Sequence, residues 1–275
     1  MTTGEPGALP EGLGDAVRGT AADIGAVLRG IGDTGRPVPR LTWTVGETAA
    51  HLAQANELMA DLAAGRPRPH GDGTPGSIAR ANEEGLRAFP ERRAEPLAAM
   101  IEAQAEALLA AVGSRTPGGV GAGPARVVTP MGELDHPVLA AYLLTHMLGH
   151  GYDLARAAGR PHMIDRRRVG LTLPFLVAAM PRTLNEHAVA GLTARYALRL
   201  RGGGGLGVTV EDGRLTTSLE PPARPDCTML MEPVTFFLVA LGRANPWVAV
   251  ARGRILNWGR KPWLAPRFPS FFTAP

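Results

Sequence analysis

Apolar positions in the first part of the chain recur at helical spacing. Leu13, Val17, Ile24, Val27, Leu28 and Ile31 fall three, four and seven apart, which predicts a helix over 12–31. After a Pro/Gly loop, Thr44 with Glu47 three residues on forms a capping box. It predicts a helix that starts at Val45 and ends before Gly65. Residues 66–76 read as loop and 77–89 as helix. Residues 95–112 are rich in Ala, Leu, Met and Glu, which favour helix intrinsically. Residues 113–134 read as a Gly/Pro-rich loop. Asp135 caps the next helix, Pro137 is tolerated in its first turn, and Gly159 stops it with Pro161 beyond. Long amphipathic helices joined by loops predict a four-helix bundle.

Past residue 163 the pattern changes. One more helix is expected over Asp165–Leu184. From Thr193 the alternation becomes strand-like through TARYALRLR and GLGVTVEDGRLTTSLE, with a hairpin turn at Glu211-Asp212-Gly213. Gly202–Gly205 lacks the lysine and following helix of a phosphate loop, so it reads as a turn. DCTMLM reads as a strand and EPVTFFLVALGR as a helix ending near Gly242. Residues 245–272 hold a short helix and a last strand, RILNWG. The expected fold class is α+β: a four-helix bundle over 1–163, then a small α+β domain over 164–275.

Composition narrows the function classes. The 275 residues are 45% hydrophobic and 20% charged, a globular balance. The longest apolar runs, Leu173–Met180 and Val234–Leu241, are too short to span a bilayer. The acidic N-terminus has no apolar signal core. A cytoplasmic protein without a membrane partner is therefore expected. The single cysteine, Cys227, excludes an internal disulfide and a multi-cysteine zinc site. Charge is divided unevenly. Residues 1–163 carry 14 Arg against 18 Asp and Glu, net −4; residues 164–275 carry 15 basic against 7 acidic, net +8. A basic second domain suits an anionic ligand as well as a nucleic acid. The basic residues are spread over strands and loops without a recognisable reading helix, so no nucleic-acid partner is expected.

His146 and His150 lie four apart on one predicted helix, which puts both rings on the same face, roughly 5–6 Å apart at Cβ. Two imidazoles at that spacing can share one metal ion. A third ligand must come from elsewhere, and His51 on the second helix is the obvious donor. Three neutral imidazoles leave a divalent metal an open position for catalysis. Asp153, one turn past His150, is placed to accept its second ring N–H or to hold a water. The plainer reading is that these are ordinary, partly buried helix histidines. With seven histidines, such a pair arises by chance in roughly one chain in six. Other residues read structurally: Glu47 as a cap, His136 and His187 as surface or capping groups, His70 and His162 as loop residues, and Cys227 as a buried strand residue. Trp247, Trp258 and Trp263 read as packing of the second domain, or as the lining of an apolar groove.

WTVGETAAHLA around His51 and THMLGHGYDLARAAGRP around His146 and His150 resemble the metal-binding bundle of the mycothiol-dependent maleylpyruvate isomerase family, within the wider DinB-like group. DCTMLMEPVTFFLVALGRANPWVAVARGRILNWGRKPWLA resembles a sterol-carrier-protein-like domain. The resemblance implies His51, His146 and His150 as ligands of a divalent metal, zinc foremost, with mycothiol as cosubstrate. It implies Asp153 as the family aspartate and Arg243 as an arginine facing a substrate carboxylate. One position departs. The isomerase type has glutamate where this chain has His146, and three histidines are the pattern of other DinB-like branches, thiol transferases among them. The implied activity is a metal-dependent isomerase or S-transferase acting on a small electrophilic substrate, as a monomer or homodimer. Two alternatives stay open: a DinB-like metalloenzyme of another reaction type in secondary metabolism, and a lipid- or small-molecule-binding protein without catalysis.

Overall fold

The computed structural model describes residues 9–72, 74–113 and 126–273. They form two compact units, which divide between Ile164 and Asp165.

The first unit runs α1 (Leu13–Arg29), α2 (Val45–Ala63), α3 (Pro75–Ala88), α4 (Ala94–Gly113), β1 (Arg126–Thr129), β2 (Gly132–Asp135) and α5 (His136–Ala158). Helices α1, α2, α4 and α5 make the bundle, and α3 lies against α2. Leu28, Leu52, Ile101, Leu139 and Leu143 are fully buried in its core. The capping box forms: the Thr44 hydroxyl accepts from the Glu47 amide at 3.2 Å, and Glu47 Oε2 accepts from the Thr44 amide at 2.8 Å. Asp135 caps α5 by accepting from the Val138 amide at 2.8 Å, and Gly159 ends that helix at φ 65°. Helix α5 approaches α1 closely at Gly151, where a Cβ would lie 2.9 Å from Met163 Sδ and 3.0 Å from Ile24 Cγ1. Helix α4 is long and apolar enough to cross a membrane by length and composition. Here its apolar residues pack on α1 and α2, while Glu95 and Glu102 on it pair with Arg29 of α1 at 3.0 and 2.8 Å.

One expectation for this unit changes. Part of the stretch taken as loop, 114–125, lies outside the described residues. The remainder forms the β1–β2 hairpin, with Thr129 opposite Gly132. Four-residue strands are too short to show a period against a Gly/Pro background.

The second unit runs α6 (Arg166–Ala179), α7 (Glu186–Val189), β3 (Ala194–Leu200), β4 (Gly205–Glu211), β5 (Arg214–Ser218), β6 (Cys227–Met231), α8 (Pro233–Ala240), α9 (Pro246–Ala251) and β7 (Ile255–Trp258). The sheet order is β5-β4-β3-β6-β7, antiparallel except for the parallel β3–β6 pair. Tyr196 and Leu198 share one face with Cys227 and Met229. Helix α6 packs on β4 and β5, and a 3-10 stretch, Pro262–Phe271, packs on β6. The Phe268 and Phe271 rings lie 5.1 and 5.7 Å from Tyr196. The link from β5 to β6 crosses the opposite face over Gly207, where a Cβ would come within 2.7 Å of the Glu220 carbonyl. Asp212 (φ 50°) and Gly213 (φ 74°) supply the positive φ values of a two-residue hairpin turn. The helix expected over Asp165–Leu184 ends earlier, at Ala179. A 3-10 turn, Met180–Thr183, follows, because Pro181 has no N–H for an α-helical bond.

Candidate metal centre

His51 sits two turns into α2, at a phase set by the Thr44–Glu47 box. His146 and His150 are successive positions on one face of α5. Packing of α2 on α5 brings the three together across 95 residues of sequence, with His51 Nε2 3.1 Å from His146 Nε2. Ring centroids are 5.1 Å apart for His51–His146, 5.0 Å for His51–His150 and 4.7 Å for His146–His150. One ring nitrogen from each lies within 4.8 Å of the others. His51 is buried; the other two are half-buried. Burial pushes His51 well below the usual histidine range, and His150 adds to the shift, so His51 is neutral at pH 7.

Asp153 is buried on the next turn of α5, its Oδ2 3.4 Å from His150 Nδ1. A carboxylate there favours the proton on Nδ1 and leaves Nε2 as the lone-pair nitrogen that suits a metal ion. The donor set fits a divalent ion. Two nitrogens about 2.0–2.1 Å from one tetrahedral zinc stand about 3.3 Å apart, close to the His51–His146 separation.

Two aromatic side chains frame the cluster. Trp43 lies against His51, centroids 4.8 Å apart, and 6.4 Å from His150. Tyr142 meets His146 edge-on at 6.4 Å, and burial pushes its phenol up to about 12. Sequence reasoning missed Tyr142, although its place one turn before His146 on the same face was the available signal. Glu47 is a cap: the Thr44 amide and hydroxyl hold its carboxyl below the usual range against the opposing effect of burial.

Arg243 belongs to the second unit. It follows α8, donates its amide to the Leu238 carbonyl at 2.7 Å, and turns Nη1 back to the Leu241 carbonyl at 2.9 Å. Cys227 is buried, and burial pushes its thiol up to about 11, consistent with a structural strand residue. Two expectations are corrected. His136 is buried rather than at the surface, with Nε2 3.3 Å from the Ala63 carbonyl, because the start of α5 abuts the end of α2. Trp247, Trp258 and Trp263 do not pack the second unit; all three are exposed.

The bundle and its histidine cluster define a helical domain with a metal-ligand constellation, joined in sequence to an α+β domain. Residues 16–155, just over half the chain, match the mycothiol maleylpyruvate isomerase N-terminal domain, and the chain belongs to that family. Residues 178–256 match the SCP-2 sterol transfer family. No curated protein matches the chain. Among solved structures, the mycothiol-dependent maleylpyruvate isomerase is 16% identical with a TM-score of 0.51, covering 86% of this chain and 90% of that one. A histidine-to-alanine mutant of that isomerase gives 15% identity and a TM-score of 0.54, with 90% and 93% covered. At such identities the likeness is one of fold. A stereoselective inverting sec-alkylsulfatase from Pseudomonas sp. is 13% identical with a TM-score of 0.31. It covers 50% of this chain, which spans only 24% of the sulfatase.

Proposed function

We propose that this chain is a metal-dependent enzyme of the mycothiol-dependent isomerase or S-transferase type. His51, His146 and His150 hold the metal, zinc foremost. The substrates are a low-molecular-weight thiol and a small electrophile bearing a carboxylate. The observation that carries the reading is the convergence of three imidazoles, one of them buried and neutral, from two helices. Family membership and the isomerase-like fold support it.

A divalent ion held there is a Lewis acid that lowers the pKa of a bound thiol and makes a thiolate available near neutral pH. The chain's own residues do the rest. Asp153 keeps the proton on His150 Nδ1 and fixes that ring. Trp43 and Tyr142 wall the cluster on the His51 and His146 sides, which limits water. In this proposal Arg243 pairs with the substrate carboxylate. For isomerisation, the thiol sulfur bonds to one alkene carbon, the former double bond rotates as a single bond, and loss of the same thiol restores the alkene. For transfer, the second alkene carbon takes up the proton the thiol gave up, and the saturated thioether is the product.

Elemental analysis of untagged protein, purified without chelator, tests the metal. About one zinc, nickel or iron per chain is expected. A metal-free protein that also refuses added zinc overturns the site. Turnover with and without a thiol then separates this reading from a metalloenzyme that uses water.

A further inference from the structure

Large apolar side chains on the surface are not scattered over this protein. Of the eight exposed ones among the described residues, six fall between positions 247 and 263: Trp247, Val248, Val250, Leu256, Trp258 and Trp263. The three tryptophans are 60, 48 and 65% exposed. Single exposed hydrophobics are ordinary; here five of the six stand on α9 and on β7, which pack together, and that concentration is the starting point for a contact surface.

The fold holds these groups outward. Asn245 caps α9 by accepting from the Trp247 amide at 2.9 Å. Ala249 is the buried residue of that helix, while Trp247, Val248 and Val250 face out. Helix α9 packs on β7, an edge strand. Leu256 pairs with Leu230 and Trp258 with Thr228. By this register both lie on the sheet face opposite Tyr196 and Met229, with Arg199 next in line beyond Leu230.

Cations outnumber anions around this patch, where Asp226 and Glu232 are the acidic neighbours in sequence and pairing. No Asp or Glu follows Glu232, whereas Arg243, Arg252, Arg254, Arg260, Lys261 and Arg267 do. Arg260 and Lys261 pair with Asp226 at 2.6 and 3.7 Å. Arg252, Arg254 and Arg267 are exposed.

Cations alone would suit any polyanion. Tryptophans with cations would also suit single-stranded nucleic acid, where rings stack on bases. Val248, Val250 and Leu256 gain nothing from base stacking but do gain from hydrocarbon. Tryptophan favours the level of lipid headgroups, and arginine is drawn to anionic ones. A partner that is anionic at its surface and apolar just beneath matches all three features. We propose that the α9–β7 surface of the second unit attaches peripherally to an anionic lipid bilayer, with Trp247 and Trp258 at headgroup depth. Such attachment needs no spanning segment and is independent of the metal centre.

The test uses the full chain with phosphatidylcholine vesicles, with and without about 30% phosphatidylglycerol, in flotation and tryptophan-fluorescence assays. Expected are binding at least about tenfold stronger to the anionic vesicles, a blue-shifted emission, and release at about 0.5 M salt. Trp247→Ser with Trp258→Ser lies at exposed positions, so the circular dichroism spectrum is retained while vesicle binding falls at least about tenfold. Arg252→Ser with Arg254→Ser weakens binding and flattens its salt dependence. The proposal is overturned if the wild type ignores anionic vesicles at low salt, or if the tryptophan variant binds as the wild type does. It is equally overturned if the surface captures a single-stranded oligonucleotide, or a second copy of the chain, while vesicles are ignored.

Discussion

Both units bury an apolar core, but they differ in the exceptional groups they place inside and outside. In the bundle, groups with reactive potential are inside: His51 and Asp153 are buried beside fully buried leucines. Its surface carries ion pairs such as Arg18–Glu106 at 2.9 Å. In the α+β unit the buried polar groups serve the fold. Asp226 accepts from the Arg195 amide at 3.0 Å and from Arg260 at 2.6 Å, and the half-buried Glu232 likewise caps α8 through the Val234 and Thr235 amides. Its core is apolar, with Tyr196, Phe237 and Phe271 fully buried, but its surface also carries six large apolar side chains between positions 247 and 263. Three imidazoles gathered from two helices, one of them buried, form a donor set, and on the proposed reading they hold a metal ion. Apolar side chains kept outside point to something they meet. On the readings proposed above, the metal site belongs to the first unit and the lipid-contact surface to the second.

The comparison breaks most readily at the histidines. His150→Ala is expected to cut bound metal from about one ion per chain to below a tenth, with helical circular dichroism retained. Unchanged metal content would remove the chemistry from the bundle.

Next in size is the contrast between core and surface. Ile101→Ala, in the bundle core, should cost about 2–5 kcal/mol in denaturant unfolding. Trp258→Ser, on the second unit, should change stability by no more than about 0.5 kcal/mol. A large loss at Trp258 would make it a packing residue after all.

Asp153→Asn removes the carboxylate behind His150 and leaves the three rings. Metal affinity should fall about 10–100-fold in competition with a chelating dye. An unchanged affinity would reduce Asp153 to a helix residue with no part in the site.

The smallest effect concerns Asp226. Burial alone would raise its carboxyl, but the Arg195 amide and then Arg260 outweigh that and hold it below the usual range. A depressed folded value means that its stabilisation is present above the unfolded pKa, about 3.9 for aspartate, and is lost as pH falls through the lower folded value. Asp226→Asn should therefore cost about 1–2 kcal/mol at neutral pH, reduced by the exposure of Arg260. It should also flatten the acid limb of the stability profile below pH ~4. An unaltered acid limb would show that the pair contributes nothing.

Much of this protein is legible along the chain because helix phase and turns are set locally. Thr44 and Glu47 mark the start of α2, Asp135 and Gly159 bracket α5, and Asp212-Gly213 turns β4 into β5. For the same reason the sequence by itself places His146 and His150 on one helical face and Asp153 one turn beyond. It could nominate His51 but not bring it within reach. That contact spans 95 residues and depends on which faces of α2 and α5 meet. Nor could it tell that His136 is buried or that Trp247, Trp258 and Trp263 stand exposed, because tryptophans in a core and on a surface read alike. Local hydrogen bonding and side-chain spacing determine each element. Which faces become buried, which histidines converge and which apolar groups stay uncovered are decided only when the whole set of faces competes for burial, and that competition is tertiary.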